Sequence, residues 1–385
     1  MTGLRSPKQY LPQLESLRGW AITLVVCFHT LGLTDGQASA NGLSSDAPLW
    51  LRLAGAGNTG VTLFFVLSGF LLAQPFLQAM KIGGRVSIAR FYAARLLRIL
   101  PLYYAAIFVS WLISGNDNSA IKALLFVPVG FEIFPFSVPW WSLSTEMQFY
   151  LLLPWIMWAL AWPMGRALIL VALLVWASLH VVYLLQPEWL GLPRRLWLES
   201  SVLGRGFAFL IGGLAAWLHL NRDRIPMPAV PHAATLVGGA LLAAQLWLLQ
   251  WYGLMGQKPA LQAMPLFHDL EALLWGGLLL CSLAPLGRIG RLFINPIFNH
   301  LGTISYSLYL VHLPIQFYLI YPVRGNTTGP ADLSNLAVLT AVIGSVGLSW
   351  LVALVCYQLI EQPFLRLKSH IPVLSGRRPV TPARV

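Results

Sequence analysis

Long apolar segments constrain the fold of this chain more than any other feature of its sequence. A helix needs about 20 mostly apolar residues to cross the hydrocarbon of a bilayer. We place ten such segments, at residues 17–33, 60–80, 99–114, 146–163, 167–185, 202–220, 232–252, 266–286, 297–322 and 335–360. The sequence therefore predicts an all-α, polytopic membrane protein with about ten transmembrane helices.

The overall composition agrees with that prediction. Hydrophobic residues make up 57% of the 385 positions and charged residues 10%, against about 45–50% and about 25% in an ordinary soluble domain. With 13 acidic and 25 basic residues, the chain has too few charges to cover the surface of a soluble protein of this length. We therefore expect the phospholipid bilayer to be its main solvent.

The distribution of Lys and Arg tests the number of spans, because one missed helix would reverse the side of every later loop. If the N-terminus lies in the cytoplasm, 18 basic residues fall in cytoplasmic segments and six in external ones. This excess predicts that both termini are cytoplasmic. No cleavage site follows the first apolar segment, so we expect it to be retained as a helix.

The domain organisation follows from the same pattern. We expect residues 1–365 to form one transmembrane domain and residues 366–385 a basic, disordered cytoplasmic tail near anionic lipid. The long external connections, 34–59 and 115–145, are rich in turn-forming and aromatic residues, which favours ordered caps. No attached soluble catalytic domain is evident, which places any chemistry within the helix bundle.

Several common classes of site are missing from the sequence. It contains no GxxxxGK[ST] phosphate loop and no HExxH motif. Cys27, Cys281 and Cys356 all lie within apolar runs and lack zinc-ligand spacing, so we interpret them as packing residues. We expect no metal and no nucleic-acid partner.

The first apolar segment carries the clearest candidates for chemistry. Ionisable side chains inside a span are costly and are therefore functional candidates. Glu15 and Arg18 have the spacing of an ion pair on one helix face. Arg18 and His29 are 11 residues apart, about three turns and about 16 Å along the same face. His29 is then a proton carrier, a general base or a polar packing residue.

A second set of candidates surrounds the next two segments. Arg90, Arg95 and Arg98 form a basic cluster on the cytoplasmic side of the third segment. The cluster is either a topology signal or a docking site for a polyanionic cofactor, because guanidinium groups bind phosphates bidentately. Ser68 and Gly69 belong to a face of small residues, for which close helix packing is an alternative interpretation.

Further polar residues interrupt the later segments. Glu146 precedes an unbroken apolar run and must turn inward to avoid hydrocarbon. Tyr306 and His312 share two turns of the ninth segment, and His312 is either functional or a satisfied core histidine. His268, Asp269 and Glu271 form another polar group at the start of the eighth. Glu361, near the end of the tenth, is expected to cap the helix or pair with Arg366.

Taken together, these motifs resemble acyltransferase family 3, the integral membrane O-acyltransferases that modify bacterial surface glycans and some secondary metabolites. The similarity covers most of the ten-segment core. It is carried by Arg18 with His29, FFVLSGF at 64–70, RFYAARLLRILPLYY at 90–104, WSLSTE at 141–146, ISYSLYLVH at 304–312 and IEQPF at 360–364. The order of all six is more specific than any one of them.

The resemblance implies a bacterial cytoplasmic-membrane enzyme that takes an acyl group, usually acetyl from acetyl-CoA, to a hydroxyl of a glycan or lipid-linked sugar. It implies His29 as the catalytic residue together with Arg18, and it also implicates Glu146. It associates Arg90, Arg95 and Arg98 with the acyl donor. Some glycan-modifying members have an acid shortly after the histidine, but here position 34 is Thr and the nearest acid is Asp35.

The residues are chemically suited to that reaction. Acyl transfer from a thioester needs a base or a nucleophile, and His29 can be a general base or a transient acyl carrier. We hypothesise that the phosphates of CoA lie against the arginine cluster and that its pantetheine arm passes Ser68 and Gly69. Glu15, Tyr306 and His312 are candidates for substrate contact or support. Direct transfer and an acyl-histidine relay both remain open.

Two other classes of protein fit part of the pattern. A secondary transporter also has many spans with intramembrane His and Glu, although no inverted internal repeat is apparent to us. An accessory subunit of a glycan export complex is the other alternative, but it gives no reason for Arg18 and His29 to share a face. The acceptor is not readable from the sequence, and a small metabolite such as a macrolide is an alternative to a glycan.

Overall fold

The computed structural model describes most of the chain as a bundle of helices. The described residues are 11–35, 42–186, 198–224, 233–284, 293–325, 331, 335–369 and 374–375. The first half contains α1 (Pro12–Thr34), α2 (Leu49–Gly55), α3 (Thr59–Ile82), α4 (Ile88–Ser114), α5 (Asp117–Leu124), α6 (Trp140–Ala159), α7 (Pro163–Leu185) and α8 (Val202–Leu220).

The second half continues the helical pattern. It contains α9 (Ala233–Met255), α10 (Gln257–Ala263), α11 (Phe267–Ser282), α12 (Pro296–Thr303), α13 (Ser305–Arg324), α14 (Leu336–Cys356), a π-helical turn (Tyr357–Glu361) and α15 (Gln362–Ser369). A two-stranded antiparallel sheet joins β1 (Arg85–Val86) to β2 (Leu374–Ser375). Apart from β2 and the last turn of α15, the predicted disordered tail lies outside the described residues.

The helices confirm the predicted all-α membrane class. Each of the ten predicted segments falls on a helix, and the ninth is divided between α12 and α13. Within the described residues, seven helices are long and apolar enough to cross a membrane: α1, α3, α4, α7, α8, α9 and the segment that begins with α14. The exact number of spans and the side on which each terminus lies stay predictions.

Two helices begin earlier than the apolar pattern predicts. The apolar run of α4 begins at residue 99, but the helix begins at Ile88, because the Ser87 side chain accepts a hydrogen bond from the backbone N–H of Arg90. As a result, Arg90, Arg95 and Arg98 all lie on α4 itself. Helix α6 begins at Trp140, so Glu146 lies in its second turn and not at its end.

Small residues allow the central helices to pack closely. An added Cβ at Gly60 would overlap the Ala21 carbonyl of α1, and one at Gly69 would overlap the Phe209 carbonyl of α8. These close approaches explain the small-residue face of α3. By contrast, Cys27 is exposed on α1, so the expectation that it is a packing residue is wrong. The side chain is small and apolar enough to face outward.

Adjacent glycines on α8 provide a test of this packing. A Cβ at Gly212 would overlap the Val66 carbonyl, whereas one at Gly213 would lie 3.9 Å from the Cβ of Ala73, an ordinary contact. We expect Gly212→Ala to lower the free energy of unfolding by about 1–3 kcal/mol, the usual cost of overpacking. Gly213→Ala is the matched control and should melt like the parent in detergent. Equal melting temperatures for the two variants would contradict the packing described here.

The connection between α4 and α6 is ordered, as predicted. Ser119 donates a hydrogen bond of 2.5 Å to Glu132, and the Lys122 ammonium lies 3.1 Å from both oxygens of the same carboxylate. Hydrogen bonds from Ser119 and Lys122 lower the pKa of Glu132. These contacts hold the loop against α5. In the other predicted cap, residues 36–41 lie outside the described part of the chain.

Candidate active site

Two histidines from distant parts of the sequence meet between α1 and α13. The Nδ1 atom of His29 lies 2.7 Å from the Nε2 atom of His312. Their rings stack with centroids 5.0 Å apart. His312 is completely buried, whereas His29 is half-buried and lies five residues before the end of α1. The pairing holds Nδ1 of His29 in a fixed contact and leaves Nε2 of the same ring available.

The hydrogen-bond partners determine which nitrogen of His29 is basic. The Nδ1 atom of His312 lies 2.9 Å from the carbonyl oxygen of Leu308, and a carbonyl only accepts. His312 therefore donates from Nδ1, and its Nε2 is an acceptor when the ring is neutral. It follows that His29 donates from Nδ1 and carries its lone pair on Nε2. That nitrogen is suited to act as a base or a nucleophile.

Polar side chains of helix α13 form hydrogen bonds with several other helices. A run of buried polar side chains covers its inner face: Ser305, Tyr306, Ser307, Tyr309, His312 and Gln316. The Tyr306 hydroxyl donates to the Ile99 carbonyl of α4 at 2.7 Å, and Gln316 donates to Thr30 of α1 at 2.8 Å. Tyr306 therefore ties α13 to α4 through its hydroxyl.

Arg18 connects the start of α1 to the start of α13. Its guanidinium donates to the Ser305 hydroxyl at 2.9 Å and pairs with Glu15 at 3.3 Å. The ion pair confirms the spacing argument for Glu15 and Arg18. Since Ser305 and His312 are seven residues apart on one helix, about two turns, α13 presents partners to both Arg18 and His29.

Polar side chains from three helices interact near Arg18. Ser68 of α3 donates to Glu146 of α6 at 2.5 Å. Glu146 also interacts with Tyr150, which in turn interacts with Arg95 of α4. The Nε atom of Arg95 is buried and has no hydrogen-bond partner. Glu146 thus turns inward, as the sequence requires, and faces the arginine cluster.

Arg98 completes an electrostatic cluster of three arginines and three glutamates. It interacts with Glu361, Glu15 and Glu146, and Arg18 interacts with the same three carboxylates. Because opposite charges are present in equal number, each offsets the cost of burying the others. The cluster combines residues from α1, α4, α6 and the π-helical turn.

Two of the residues that the sequence analysis assigned to binding of the acyl donor lie outside this cluster. Arg90 is exposed in the first turn of α4, about 12 Å along the helix from Arg98. Gly69 is buried against the Phe209 carbonyl, so its contact is with α8. Ser68, on the adjoining face, remains with Glu146. The arginines therefore form a line from the surface into the bundle.

Sequence reasoning missed the position of Glu361 in the cluster and the part that Tyr150 plays beside it. Glu361 was expected to cap its helix or pair with Arg366, but it is 2% exposed and accepts a hydrogen bond of 2.9 Å from Ser307. The π-helical turn ends at Glu361 and turns it inward; such turns are frequent at functional sites. Tyr150 was not considered at all. Its spacing of four residues after Glu146 was the available signal.

Comparison with known proteins identifies the family of this chain. A model described as an acyltransferase domain, that of acyltransferase family 3, matches residues 11–354. The chain belongs to acyltransferase family 3. This membership favours an enzyme over the transporter and the accessory subunit considered from sequence.

The chain aligns with different shares of the length of its relatives. The chain is 27% identical to the "Putative membrane-bound transacylase BcsY" of Komagataeibacter xylinus, over 97% of this chain and 87% of the relative. It is 23% identical to the peptidoglycan O-acetyltransferase OatA of Listeria monocytogenes, over 97% of this chain and 58% of the relative. The chain thus spans little more than half of OatA. No solved structure matches it.

Proposed function

We propose that this chain is a membrane O-acyltransferase that moves an acetyl group from acetyl-CoA to a hydroxyl of a cell-surface or lipid-linked glycan. Membership of acyltransferase family 3 and the names of its relatives support this class of reaction. The single observation that carries the mechanism is the His29–His312 pair, which leaves Nε2 of His29 basic. The proposed location is the bacterial inner membrane.

His29 acts on the thioester in one of two ways. In direct transfer, Nε2 accepts the proton of the acceptor hydroxyl while the oxygen attacks the carbonyl carbon; the C–S bond breaks and the proton passes to the CoA thiolate. In a relay, Nε2 itself attacks the carbonyl and the C–S bond breaks, so CoA leaves as its thiolate. The acceptor hydroxyl then attacks the acyl-imidazole, the C–N bond breaks, and the hydroxyl proton passes to the thiolate. In both routes Nε2 of His312 accepts a hydrogen bond from Nδ1 of His29 and so stabilises the positive His29 ring.

The line of arginines on α4 suits a donor that enters from one end. Arg90 lies at the surface, where the phosphates of CoA remain hydrated, and Arg95 and Arg98 follow deeper in the bundle. The unpartnered Nε of Arg95 is a donor without an acceptor, and guanidinium groups form strong charge-assisted hydrogen bonds with phosphate oxygens. We propose that the pantetheine arm continues past Ser68 toward His29.

A direct test of the function uses purified protein, radiolabelled acetyl-CoA and oligosaccharides from peptidoglycan or from other surface glycans. Transfer of label to an oligosaccharide supports the proposal, and its absence with every acceptor class contradicts it. Omission of the acceptor distinguishes the two routes. Label that stays on the protein, is released by hydroxylamine and requires His29 identifies the relay.

His312 is expected to act as a positioning residue. His312→Leu removes the acceptor for the Nδ1 proton, so His29 loses its fixed tautomer and orientation. We expect kcat to fall by roughly 100-fold, the effect of a misplaced reacting group, with little change in the KM for acetyl-CoA. His312→Gln restores an acceptor oxygen and should recover part of the rate. If both variants lose equal activity, the tautomer argument is wrong.

A further inference from the structure

A second hydrogen bond joins α1 to α13 one position after His29. The side-chain amide of Gln316 donates from Nε2 to the Thr30 hydroxyl at 2.8 Å. Gln316 follows His312 by four residues, about one turn of α13, and Thr30 directly follows His29 on α1. Two consecutive positions of α1 are therefore held by two consecutive turns of α13.

The partners of Thr30 determine the orientation of the Gln316 amide. A threonine hydroxyl has one proton to donate, and that of Thr30 goes to the Val26 carbonyl at 2.8 Å. Thr30 can then only accept from Gln316, so the NH2 group of the amide faces Thr30 and its Oε1 atom faces away. The contact therefore needs both the amide of Gln316 and the oxygen of Thr30.

Stability by itself does not explain a glutamine at position 316. The residue is completely buried, and its Oε1 atom is buried with no hydrogen-bond partner among the described residues. An unpaired buried acceptor typically costs more than one hydrogen bond contributes. An apolar side chain of similar length would avoid that cost, and Thr30 would keep its bond to Val26. The amide must therefore be retained for a reason other than stability.

The geometry of α1 supplies such a reason. Consecutive residues of a helix point about 100° apart around its axis. A bond at His29 alone leaves the outer turns of α1 free to rotate slightly about that one contact, whereas a second bond at Thr30 opposes the rotation. The half-buried His29 ring is aligned with His312 only at one such rotation, because both Nδ1 and Nε2 lie on the ring that the helix carries.

We propose that Gln316 is a positioning residue, which acts through Thr30 to hold α1 at the rotation where Nδ1 of His29 meets Nε2 of His312. This role rests on the proposed function for what His29 does in acyl transfer. When the bond to Thr30 is lost, the contact between the two histidines loosens. The neutral His29 ring then exchanges its proton between Nδ1 and Nε2, and the fraction with a basic Nε2 falls.

Replacement of Gln316 by Met tests this role, because methionine has a similar length and no amide. We expect kcat for acetyl transfer to fall by about 10- to 100-fold, the effect of a small misplacement of a reacting group, with an unchanged KM for acetyl-CoA. Thr30→Val should cause the same fall, whereas Thr30→Ser keeps the hydroxyl and should retain most of the parent rate. The Gln316→Met, Thr30→Val double variant should be no slower than either single variant, because all three lack the same bond.

Gln245→Met is the matched control. Gln245 is also completely buried, donates to a threonine (Thr59, at 3.5 Å) and has an Oε1 atom without a partner among the described residues. It lies on α9, which packs against α2, α10 and α11, so its variant should transfer acetyl at the parent rate. Equal losses of kcat in Gln245→Met and Gln316→Met would assign the effect to any lost buried amide and would overturn the proposal.

Nitrogen-15 NMR of histidine-labelled protein in nanodiscs tests the same role without donor or acceptor. The signals of His29 are those that His29→Asn lacks. In the parent and in Gln245→Met we expect a protonated Nδ1 and an unprotonated Nε2, and in Gln316→Met partial protonation of both. An unchanged His29 spectrum or an unchanged kcat in Gln316→Met would overturn the positioning role. If the parent transfers no acetyl group, the proposed function fails, and the spectrum alone decides whether Gln316 orients His29.

Discussion

Replacement of His29 by Ala is expected to abolish acyl transfer. General acid–base catalysis contributes about 100- to 10,000-fold to a rate, and His29 is the group whose free nitrogen carries the proposed mechanism. His29→Asn is the sharper variant, because its amide can still donate to Nε2 of His312 but has no basic nitrogen. Both variants should lose product in the radiolabelled acetyl-CoA assay while they retain the melting temperature of the parent.

The control for His29 lies on the same helix. Cys27 is exposed two residues earlier and is outside the site, so Cys27→Ala should transfer acetyl at the parent rate. If a folded His29→Ala protein kept activity within tenfold of the parent, His29 would have no part in the chemistry. A loss of activity in His29→Ala but not in His29→Asn would show that the hydrogen bond to His312 matters and the base does not.

Replacement of Arg95 or Arg98 by Ala is expected to weaken the use of the donor. A lost hydrogen bond to a charged group corresponds to a rise of about 10- to 100-fold in the apparent KM for acetyl-CoA. Arg95 is the stronger candidate for phosphate contact, because its Nε has no partner in the protein. Arg98 interacts with three glutamates, so its removal also leaves buried carboxylates without compensation.

Arg90 provides the comparison within the same helix. It is exposed, so water and salt screen its charge, and Arg90→Ala should raise the KM by less than either deeper variant. The measurement is the dependence of the initial rate on acetyl-CoA at constant acceptor. An unchanged KM in both Arg95→Ala and Arg98→Ala would mean that these arginines do not bind the donor and serve only as a topology signal. Acetyl-dephospho-CoA, assayed in parallel, tests for contact with the 3′-phosphate.

The helical fold could be predicted from the sequence because lipid imposes one requirement on a spanning segment. In hydrocarbon, each backbone polar group must be satisfied within the segment, so a long apolar run becomes a helix. Each of the ten predicted segments falls on a helix in the described part of the chain. Boundaries were less predictable where a polar cap decides them, as at Ser87, which begins α4 in the middle of a basic stretch.

The candidate site was only partly predictable. Spacing within one helix brings Glu15 to Arg18 and places His29 about three turns away. Nothing in the local sequence pairs His29 with His312, which is 283 residues later. The local sequence also does not show that Glu361 faces Arg98, because this orientation depends on a π-helical turn. These contacts depend on the crossing of helices, which arises from close packing of small residues.

What the sequence determined by itself is therefore the set of helices and the residues that each one carries, because the solvent and the helical repeat act on each segment separately. The tertiary structure alone decided which side chains meet, which nitrogen of His29 is basic, and which arginines point inward. Those properties depend on partners supplied by other helices, and a hydrogen bond between distant segments exists only once the bundle has assembled.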